Sequence, residues 1–391
     1  MTGAMQPLAG VRVADFGQLT AGANLSAMLA DLGADVIKIE SGSYIDLFRY
    51  TRRDCAEWWN KSPQFHFTNR NKRGIAIDLK QPAGRSLAFE LVCRCDVLVE
   101  NYRRDVLDRL GLGFGAVSAR NPRIVYASVT SQGETGPHRL HRTYGSTLDA
   151  MGGIAALTGY ADGRPNITGG EFNYPDQVVS LLATGFVIAA LREVKRTGKG
   201  GHLDIAQREI VSFLVGEEIA AASAGARDKA SLRRGNDDGQ ALLQDCFRTA
   251  DNRWLAVSIE DEPAAAAARR LIGPDGDRRE GLGKWVAGHD MGSAIAALRS
   301  AGIVAWVVLD GRDLLNAPGL VGGSLVHGAD GTLYKGAPYA LAGAPFEIRR
   351  PAPDLGGDTD DILREILGMN EDDIARLDAE GVTCNNPEKA T

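Results

Sequence analysis

The residues most able to do chemistry lie between Gly169 and Ala206, where one carboxylate stands at the start of a long apolar stretch. Pro175 suits the first turn of a helix, because its missing N–H costs nothing there. Asp176 follows at once, and free N–H groups and the helix dipole are expected to keep it ionised. The preceding pair of glycines, Gly169 and Gly170, would leave space for a substrate. Such a carboxylate can act as a nucleophile, although a helix-capping aspartate would look the same in sequence.

Basic residues form a second chemical feature, because they gather near the ends of predicted strands. Open α/β sheets bind ligands at the carboxyl ends of their strands. These side chains could hold an anion there, or they could be solvated surface. The candidates are Lys72, Arg73, Lys80, Arg103, Arg109 and Arg142.

A third feature is the glycine-bearing segment RGNDDGQ, which contains Gly235, Gly239 and Gln240. A loop of this kind can close over a site and exclude water. The sequence shows no pattern for a catalytic triad or dyad or for a metal site. No Ser-His-Asp or Cys-His pattern is evident. Cys93 and Cys95 have no second cysteine pair and no histidine nearby, so no metal site is expected.

Composition is that of a globular protein long enough for two domains, with 391 residues. A net charge of −6 argues against broad nucleic-acid binding. Five scattered cysteines fit a reducing cytoplasm, and the N-terminus has no signal-peptide pattern. We expect the apolar stretch before Lys195 to be shorter than a membrane span and to form a buried helix, since it is apolar on nearly every side.

The elements that must position these residues alternate between strands and helices. This alternation predicts an α/β fold, with a parallel sheet covered by helices on both faces. Strands are predicted at 11–16, 35–40, 75–79, 96–101, 123–130 and 202–206. Helices are predicted at 24–32, 82–93, 175–196 and 210–224, with a short one after Asn101 and another ending at Gly152 and Gly153.

Glu40, at the end of the second predicted strand, suggests a nicotinamide-dinucleotide site. The first turn, however, has Gly17 and Gly22 with bulky residues between them, and lacks G-x-G-x-x-G. We therefore expect no nicotinamide cofactor.

Composition shifts near Gly225, and the segment that follows predicts a small α+β domain. It contains a hairpin at 246–260, helices at 263–271 and 291–301, and a strand at 303–310. Short strands at 324–327 and 333–334 come next. The chain ends in helices at 359–367 and 372–379, with Asp358 and Asn370 as predicted caps.

Seven stretches together resemble the class III CoA-transferases, the family that includes formyl-CoA transferase, carnitine CoA-transferase and the 2-methylacyl-CoA racemases. The resemblance covers nearly the whole chain. It implies a Rossmann-like large domain at 1–224, completed by 325–391, and a small α+β domain at 225–324. It also implies an interlocked homodimer. The stretches are LAGVRVADFGQLTAG, LGADVIKIE, NRNKRGIAIDLK, DVLVENYRRDVLDRLGL, RTGKGGHLDIA, GAPFEI and GGDTDDILREILG.

The resemblance implies that Asp176 is the catalytic nucleophile and that coenzyme A binds as co-substrate. It places the adenine against Ile77 and Leu79, with Gly239 and Gln240 ending a mobile loop that covers the aspartate. Ser41 departs from the family pattern, since an arginine that holds CoA often stands there. The other residues implied at the CoA site are Thr20, Ala21, Lys80, Asn101, Tyr102, Arg103, Arg109, Arg142 and Tyr144.

The resemblance therefore implies transfer of CoA between two carboxylic acids, through an aspartyl anhydride and an enzyme–CoA thioester. Two alternatives stay open. An acyl-CoA racemase would need two acid–base groups, and Tyr144 stands where the racemase pattern has a histidine, with His141 out of register. A catalytically silent CoA-binding subunit, paired with an active homologue, is the other.

Overall fold

The computed structural model describes residues 6–51, 53–168, 173–225, 233–237, 239–273, 278–316, 325–328, 331–339, 342–343 and 346–388. The chain divides into two compact units. The large unit contains Met1–Gly153, Thr168–Glu217 and Val321–Thr391, and the small unit contains Ile154–Ile167 and Glu218–Leu320. The sequence assigned 154–167 to the large domain. This segment instead groups with the small unit, where the Gly235 N–H donates to the Gly159 carbonyl at 2.9 Å.

Six parallel strands form the sheet of the large unit, as predicted. Their order, β3-β2-β1-β4-β5-β6, reverses direction between β1 and β4, which is where open α/β sheets bind ligands. The strands are β1 Arg12–Asp15, β2 Asp35–Glu40, β3 Arg73–Ala76, β4 Val97–Glu100, β5 Val125–Thr130 and β6 Gly201–Ala206.

β3 lies earlier in the chain than the predicted 75–79. The Ile77 N–H still donates to the Glu40 carbonyl at 2.7 Å, but the Asp78 N–H donates to Val382. The chain therefore leaves the sheet at this point because its next backbone partner is the C-terminal segment.

Helices cover both faces of the sheet. On one face, Leu25 and Leu29 of α1 and Val179 and Val187 of α8 pack on the strands. The other face is covered by α3, α5, α15 and α16, so the C-terminal helices belong to the core of the large unit. Their bounds are α1 Ala21–Asp31, α2 Pro63–Asn69, α3 Pro82–Val92, α4 Val106–Arg109, α5 Phe114–Arg120, α6 Gly145–Gly152, α7 Ile154–Leu157, α8 Tyr174–Thr197, α9 Gln207–Leu214, α10 Gly216–Ser223, α11 Glu262–Ile272, α12 Arg278–Ala287, α13 Met291–Ser300, α14 Gly311–Leu315, α15 Thr359–Leu367 and α16 Glu371–Ala379.

Two sequence expectations about helices are wrong in detail, and one about a helix cap is confirmed. In place of the single helix predicted at 210–224, the chain forms two helices, α9 and α10, which are separated at Val215. The second helix begins at Gly216, and glycine is a poor helix former. Asn370 caps α16 as predicted, accepting the Asp373 N–H at 2.9 Å. Asp358 does not cap α15, because its carboxylate accepts the Gly74 N–H at 2.8 Å instead.

The long helix α8 is not buried on all sides within this chain. Val179, Ala183 and Val187 are buried, whereas Leu181 and Phe186 are 43% and 45% exposed. By length and composition alone its 24 residues could cross a membrane, so the expectation that it is too short is wrong. Its buried face packs on α1, where Ser180 Oγ donates to the Ala21 carbonyl at 2.9 Å. A cytoplasmic location remains a prediction.

An antiparallel sheet in the order β7-β8-β9 forms the centre of the small unit. The predicted hairpin is confirmed, with register Leu243↔Ile259 to Arg248↔Trp254. Its core joins the sheet to α11, α12 and α13, of which α12 was missed in the sequence. The strands are β7 Leu243–Arg248, β8 Trp254–Ile259 and β9 Val304–Val307, and the large unit adds the hairpin β10 Leu325–His327 and β11 Leu333–Lys335.

Candidate active site

The loop after β1 turns sharply at the point where the strand order reverses. A Cβ at Gly17 would collide with the backbone of Gly22, and one at Gly22 would lie 2.8 Å from Asn101 Oδ1. Asn101 Oδ1 accepts the Gln18 N–H at 2.7 Å, and Asn101 Nδ2 donates to the Gln18 carbonyl at 2.9 Å. The two glycines therefore permit close backbone packing, and Asn101 positions the loop.

Buried charges support the same loop from below. Lys38 Nζ donates to the Gly17 carbonyl and lies 3.0 Å from Asp46. Asp46 accepts the N–H of Leu19, whose φ of 57° is unusual for a residue with a side chain. Asp15 accepts the Gly17 N–H at 2.8 Å. Backbone groups of Gly17 and Leu19 are thus held by side chains that solvent does not reach.

Lys72 belongs to this buried network and not to an anion site. Its Nζ donates to Asp15 Oδ2 at 2.8 Å, to the Ala23 carbonyl at 2.7 Å and to Asn69 Oδ1 at 2.8 Å. Burial lowers the pKa of the Lys72 ammonium to about 8, despite the Asp15 carboxylate beside it. Arg73 is also engaged, with Asp35 and Glu365, each at 2.8 Å. The prediction from the sequence that Lys72 and Arg73 are candidate anion ligands is therefore wrong.

Glu40 is likewise committed to the fold. Arg49 contacts both of its carboxylate oxygens, at 2.9 and 2.8 Å. Burial alone would raise the pKa of Glu40, but the Arg49 guanidinium holds this pKa at about 2. This pairing leaves Glu40 unable to bind a ribose, which argues against the nicotinamide site suggested by its position in sequence.

A cavity of about 670 Å³ opens at the carboxyl edge of the sheet. It brings together most of the residues that the sequence assigned to one site. Those at its wall are Ile77, Leu79, Lys80, Asn101, Tyr102, Arg103, Arg142, Tyr144 and Asp176.

Three of the residues predicted to bind CoA are not at the cavity wall. Thr20 and Ala21 are buried beside it, 3% and 1% exposed. Thr20 Oγ1 lies 3.4 Å from the Asn173 amide, so it contacts the start of α8. Arg109 is exposed on α4. The structure therefore gives Thr20 and Ala21 a packing role and gives Arg109 no contact with the cavity.

Cations at the wall differ in how they are engaged. Arg104 pairs with Glu134 at 3.1 Å, and Arg85 donates to the carbonyls of Leu79 and Lys80. Lys80, Arg103 and Arg142 have no carboxylate partner within the described ranges of the chain. Three cations at one cavity can hold an anionic ligand such as a phosphate.

Asp176 lies in the first turn of α8, but it does not cap the helix. Asn173 occupies the N-cap position, with φ of 44°. Burial raises the pKa of the Asp176 carboxyl to about 6, although its own backbone N–H opposes this, and the Asp149 carboxylate adds to the rise. From the sequence we expected the helix N-terminus to keep the pKa of Asp176 low. In the structure, burial has the larger effect and raises that pKa. The glycine pair at 169–170 lies outside the described residues.

Asp149 was missed in the sequence, and it is fully buried on α6. Its carboxylate accepts the Thr168 N–H at 2.5 Å and the Thr168 hydroxyl at 2.9 Å. Thr168 precedes the glycine pair directly. Asp149 therefore anchors Thr168, and it also places a second negative charge near the Asp176 carboxylate. No sequence signal distinguishes Asp149 from other helical aspartates.

Within the small unit, the glycine segment packs on Tyr160. Gly235 has φ of 61°, and a Cβ there would collide with the Tyr160 ring. Asn236 Nδ2 donates to the Tyr160 hydroxyl at 2.9 Å and to Asp245 at 2.8 Å. Gly239, with φ of 76°, donates its N–H to Asp237 at 2.7 Å, and Gln240 follows before β7. Whether this segment covers Asp176 remains a prediction.

Comparisons with known proteins show which family the chain is similar to. The family model described as CoA-transferase family III matches residues 8–359. A probable CoA-transferase of Mycobacterium tuberculosis is 29% identical over 95% of this chain, which spans only 50% of that relative's length. The beta subunit of succinyl-CoA–L-malate CoA-transferase from Chloroflexus aurantiacus is 29% identical over 95% of this chain and 96% of its own. A solved CaiB/BaiF family protein from Brucella suis superposes with a TM-score of 0.81 and 26% identity, covering 92% of this chain and 99% of its own.

The buried network predicts the effect of removing Lys72. Lys72→Ala leaves Asp15 buried without its cation, and we expect a loss of about 3–5 kcal/mol in the free energy of unfolding. Urea denaturation measures this loss. Arg109→Ala, at an exposed site, is the matched control and should change stability by less than about 0.5 kcal/mol. Equal stability of the two variants would contradict a structural role for Lys72.

The free cations at the cavity predict which residues bind CoA. We expect Lys80→Ala, Arg103→Ala and Arg142→Ala each to weaken CoA binding, and the loss to shrink at high salt because the attraction is ionic. Arg109→Ala should leave the affinity close to wild type. Calorimetric titration with CoA at two ionic strengths tests both statements. Unchanged affinity in all three cavity variants would mean that these side chains are only solvated surface.

Proposed function

The chain belongs to CoA-transferase family III, and on that premise we propose that it transfers CoA between two carboxylic acids with Asp176 as the nucleophile. The observation that carries the proposal is a single cavity that holds Asp176 together with Lys80, Arg103 and Arg142. Cations without carboxylate partners suit the phosphates of CoA. A partly desolvated carboxylate at the same cavity suits attack on a thioester.

The proposed reaction conserves the energy of the thioester at each step. The Asp176 carboxylate attacks the acyl carbonyl of the donor, the C–S bond breaks, and CoA leaves as the thiolate. The product is a mixed anhydride between Asp176 and the donor acid. The thiolate then attacks the aspartyl carbonyl, which releases the donor as a free carboxylate and leaves CoA as a thioester on Asp176.

The second half of the cycle reverses these bonds with the acceptor. The acceptor carboxylate attacks the aspartyl thioester and releases the thiolate, so that a new anhydride forms. Attack of the thiolate on the acceptor's acyl carbonyl yields the product thioester and restores the Asp176 carboxylate. Hydrogen-bond donors near Asp176, including the N–H groups at the start of α8, are suited to stabilising each tetrahedral oxyanion.

Exclusion of water is the further requirement, because hydrolysis of the anhydride would waste the thioester. We propose that the glycine segment with Gly235, Gly239 and Gln240 serves this purpose, as the family resemblance implies. Relatives of this chain are named for different pairs of acids, among them succinyl-CoA with L-malate and formyl-CoA with oxalate.

A racemase is the second candidate within the family. His141 and Tyr144 line the cavity with Asp176, so a second acid–base group is available there. Exchange of the α-hydrogen of a 2-methylacyl-CoA with deuterated water distinguishes the two reactions, because CoA transfer leaves that hydrogen in place.

We further propose that two copies of this chain form an interlocked dimer. The apolar side chains that α8 leaves exposed, among them Leu181, Phe186 and Ile188, support an assembly that covers them. Light scattering at low concentration should show a dimer, because separating interlocked chains requires unfolding. A folded monomer would contradict the proposal.

Some relatives are named as alpha and beta subunits, so activity of this chain purified alone tests whether a different subunit is required.

The nucleophile has a near-isosteric test. We expect Asp176→Asn to fold and to bind CoA, but to lose transfer by several orders of magnitude, because an amide cannot form the anhydride. Wild-type protein treated with an acyl-CoA donor and then hydroxylamine should carry a hydroxamate on the peptide containing Asp176. Asp360→Asn, an exposed aspartate on α15, is the control. Normal transfer by Asp176→Asn, with no adduct on that peptide, would overturn the mechanism.

The raised pKa of Asp176 predicts the pH dependence of the reaction. Only the carboxylate is nucleophilic, so kcat/KM for the acyl-CoA donor should fall as pH drops through about 6. Asp149→Asn removes the neighbouring negative charge, which favours ionisation of Asp176, and should move this acid limb to lower pH. Initial rates across pH 4.5–8 measure the shift. An acid limb that stays in place in Asp149→Asn would rule out the electrostatic coupling.

A further inference from the structure

One end of the cavity wall carries an amide that the fold does not use. Gln207 is the first residue of α9, directly after β6, and lines the cavity while only 6% exposed. Its Oε1 is buried with no hydrogen-bond partner, and its side chain makes no hydrogen bond to the described part of the chain. A buried amide left unpaired costs free energy, so such groups are nearly always satisfied.

A hydroxyl on the same cavity has the same property. Thr143 lies two residues before α6, lines the cavity, and has a buried Oγ1 with no hydrogen-bond partner among the described residues. α6 and α9 pack on each other, with Val211 of α9 against Gly152 of α6. Two unpaired polar groups on neighbouring elements, at a cavity that already holds Asp176, indicate a place that a ligand completes.

The chemistry of these groups defines what the ligand must offer. An amide provides one donor and one acceptor, and a hydroxyl provides both. A second carboxylate is unfavourable here because it offers acceptors only, whereas Gln207 Oε1 needs a donor. An uncharged group that both donates and accepts satisfies Gln207 and Thr143 together.

We propose that Gln207 and Thr143 form a polar subsite that hydrogen-bonds an uncharged hydroxyl or amide group of the bound substrate. Two parts of the substrate carry such a group: a hydroxyl on the acyl chain, and the pantetheine amides of CoA. The proposal rests on the proposed function, since it takes an acyl-CoA as the occupant of the cavity. Gln207 and Thr143 then select or align the thioester, and Asp176 attacks it.

The experiment uses Gln207→Met and Thr143→Val, which remove the polar atoms with little change in volume. Matched donors are butanoyl-CoA and 3-hydroxybutanoyl-CoA, which differ by one hydroxyl, and the readout is the rate of hydroxamate formation on the protein. Affinity for CoA itself is measured by calorimetry. Gln132→Met is the control, because Gln132 is also a buried glutamine with an unpaired Oε1 but does not line the cavity.

A subsite for the acyl hydroxyl predicts a selective effect. Each variant should lose about 5- to 100-fold in rate with 3-hydroxybutanoyl-CoA relative to butanoyl-CoA, with unchanged affinity for CoA. A subsite for the pantetheine amide predicts an equal loss with both donors and weaker binding of CoA. Gln132→Met should show neither effect.

The subsite is refuted if both variants fold and retain the wild-type donor preference and CoA affinity. Failure of the proposed function looks different: wild-type protein would then form no hydroxamate at Asp176, while the calorimetric comparison of CoA binding would remain readable. If one variant fails to fold, the other tests the same subsite by the same two measurements.

Discussion

The buried charges beneath the loop at 17–19 are the constraint on which the site depends. Asp15 and Lys72 pair at 2.8 Å, Lys38 and Asp46 at 3.0 Å, and all four are inaccessible to solvent. Removing charges from water costs several kcal/mol for each ion, so each must find an opposite charge and further hydrogen bonds. Here those further bonds go to the backbone of the loop. The turn between β1 and α1 therefore keeps one shape, and the cavity beside it keeps its wall.

This network also divides the basic residues into two groups. Lysines inside the sheet layer neutralise carboxylates that hold the loop, whereas Lys80, Arg103 and Arg142 at the cavity stay without carboxylate partners in the described parts of the chain. A cation already paired in the fold has little attraction left for a ligand. The division therefore explains how a chain with net charge −6 can still present a local site for an anion.

Asp176 is subject to two opposing demands. A nucleophile must be ionised at working pH, and burial together with Asp149 opposes ionisation by raising its pKa to about 6. A pKa near 6 leaves most of the carboxylate charged near pH 7, while a more basic carboxylate is a stronger nucleophile than one at the ordinary value. The Asp149 carboxylate that raises this pKa also accepts the N–H of Thr168 at 2.5 Å.

The sequence by itself determined the α/β class, the six parallel strands, the hairpin of the small unit and the placement of Asp176 in the first turn of a long helix. These follow from local patterns of apolar residues and helix-start signals, which the tertiary structure did not override. The family resemblance rests on motifs spread along the chain, so it too could be recognised from the sequence. Only the tertiary structure decided that Lys72, Arg73 and Glu40 serve the fold, that α8 buries one face, and that Asp149 and Gln207 belong near the site. The physical reason is that pairing, desolvation and side-chain neighbours depend on residues far apart in sequence, and no local spacing encodes which charges meet.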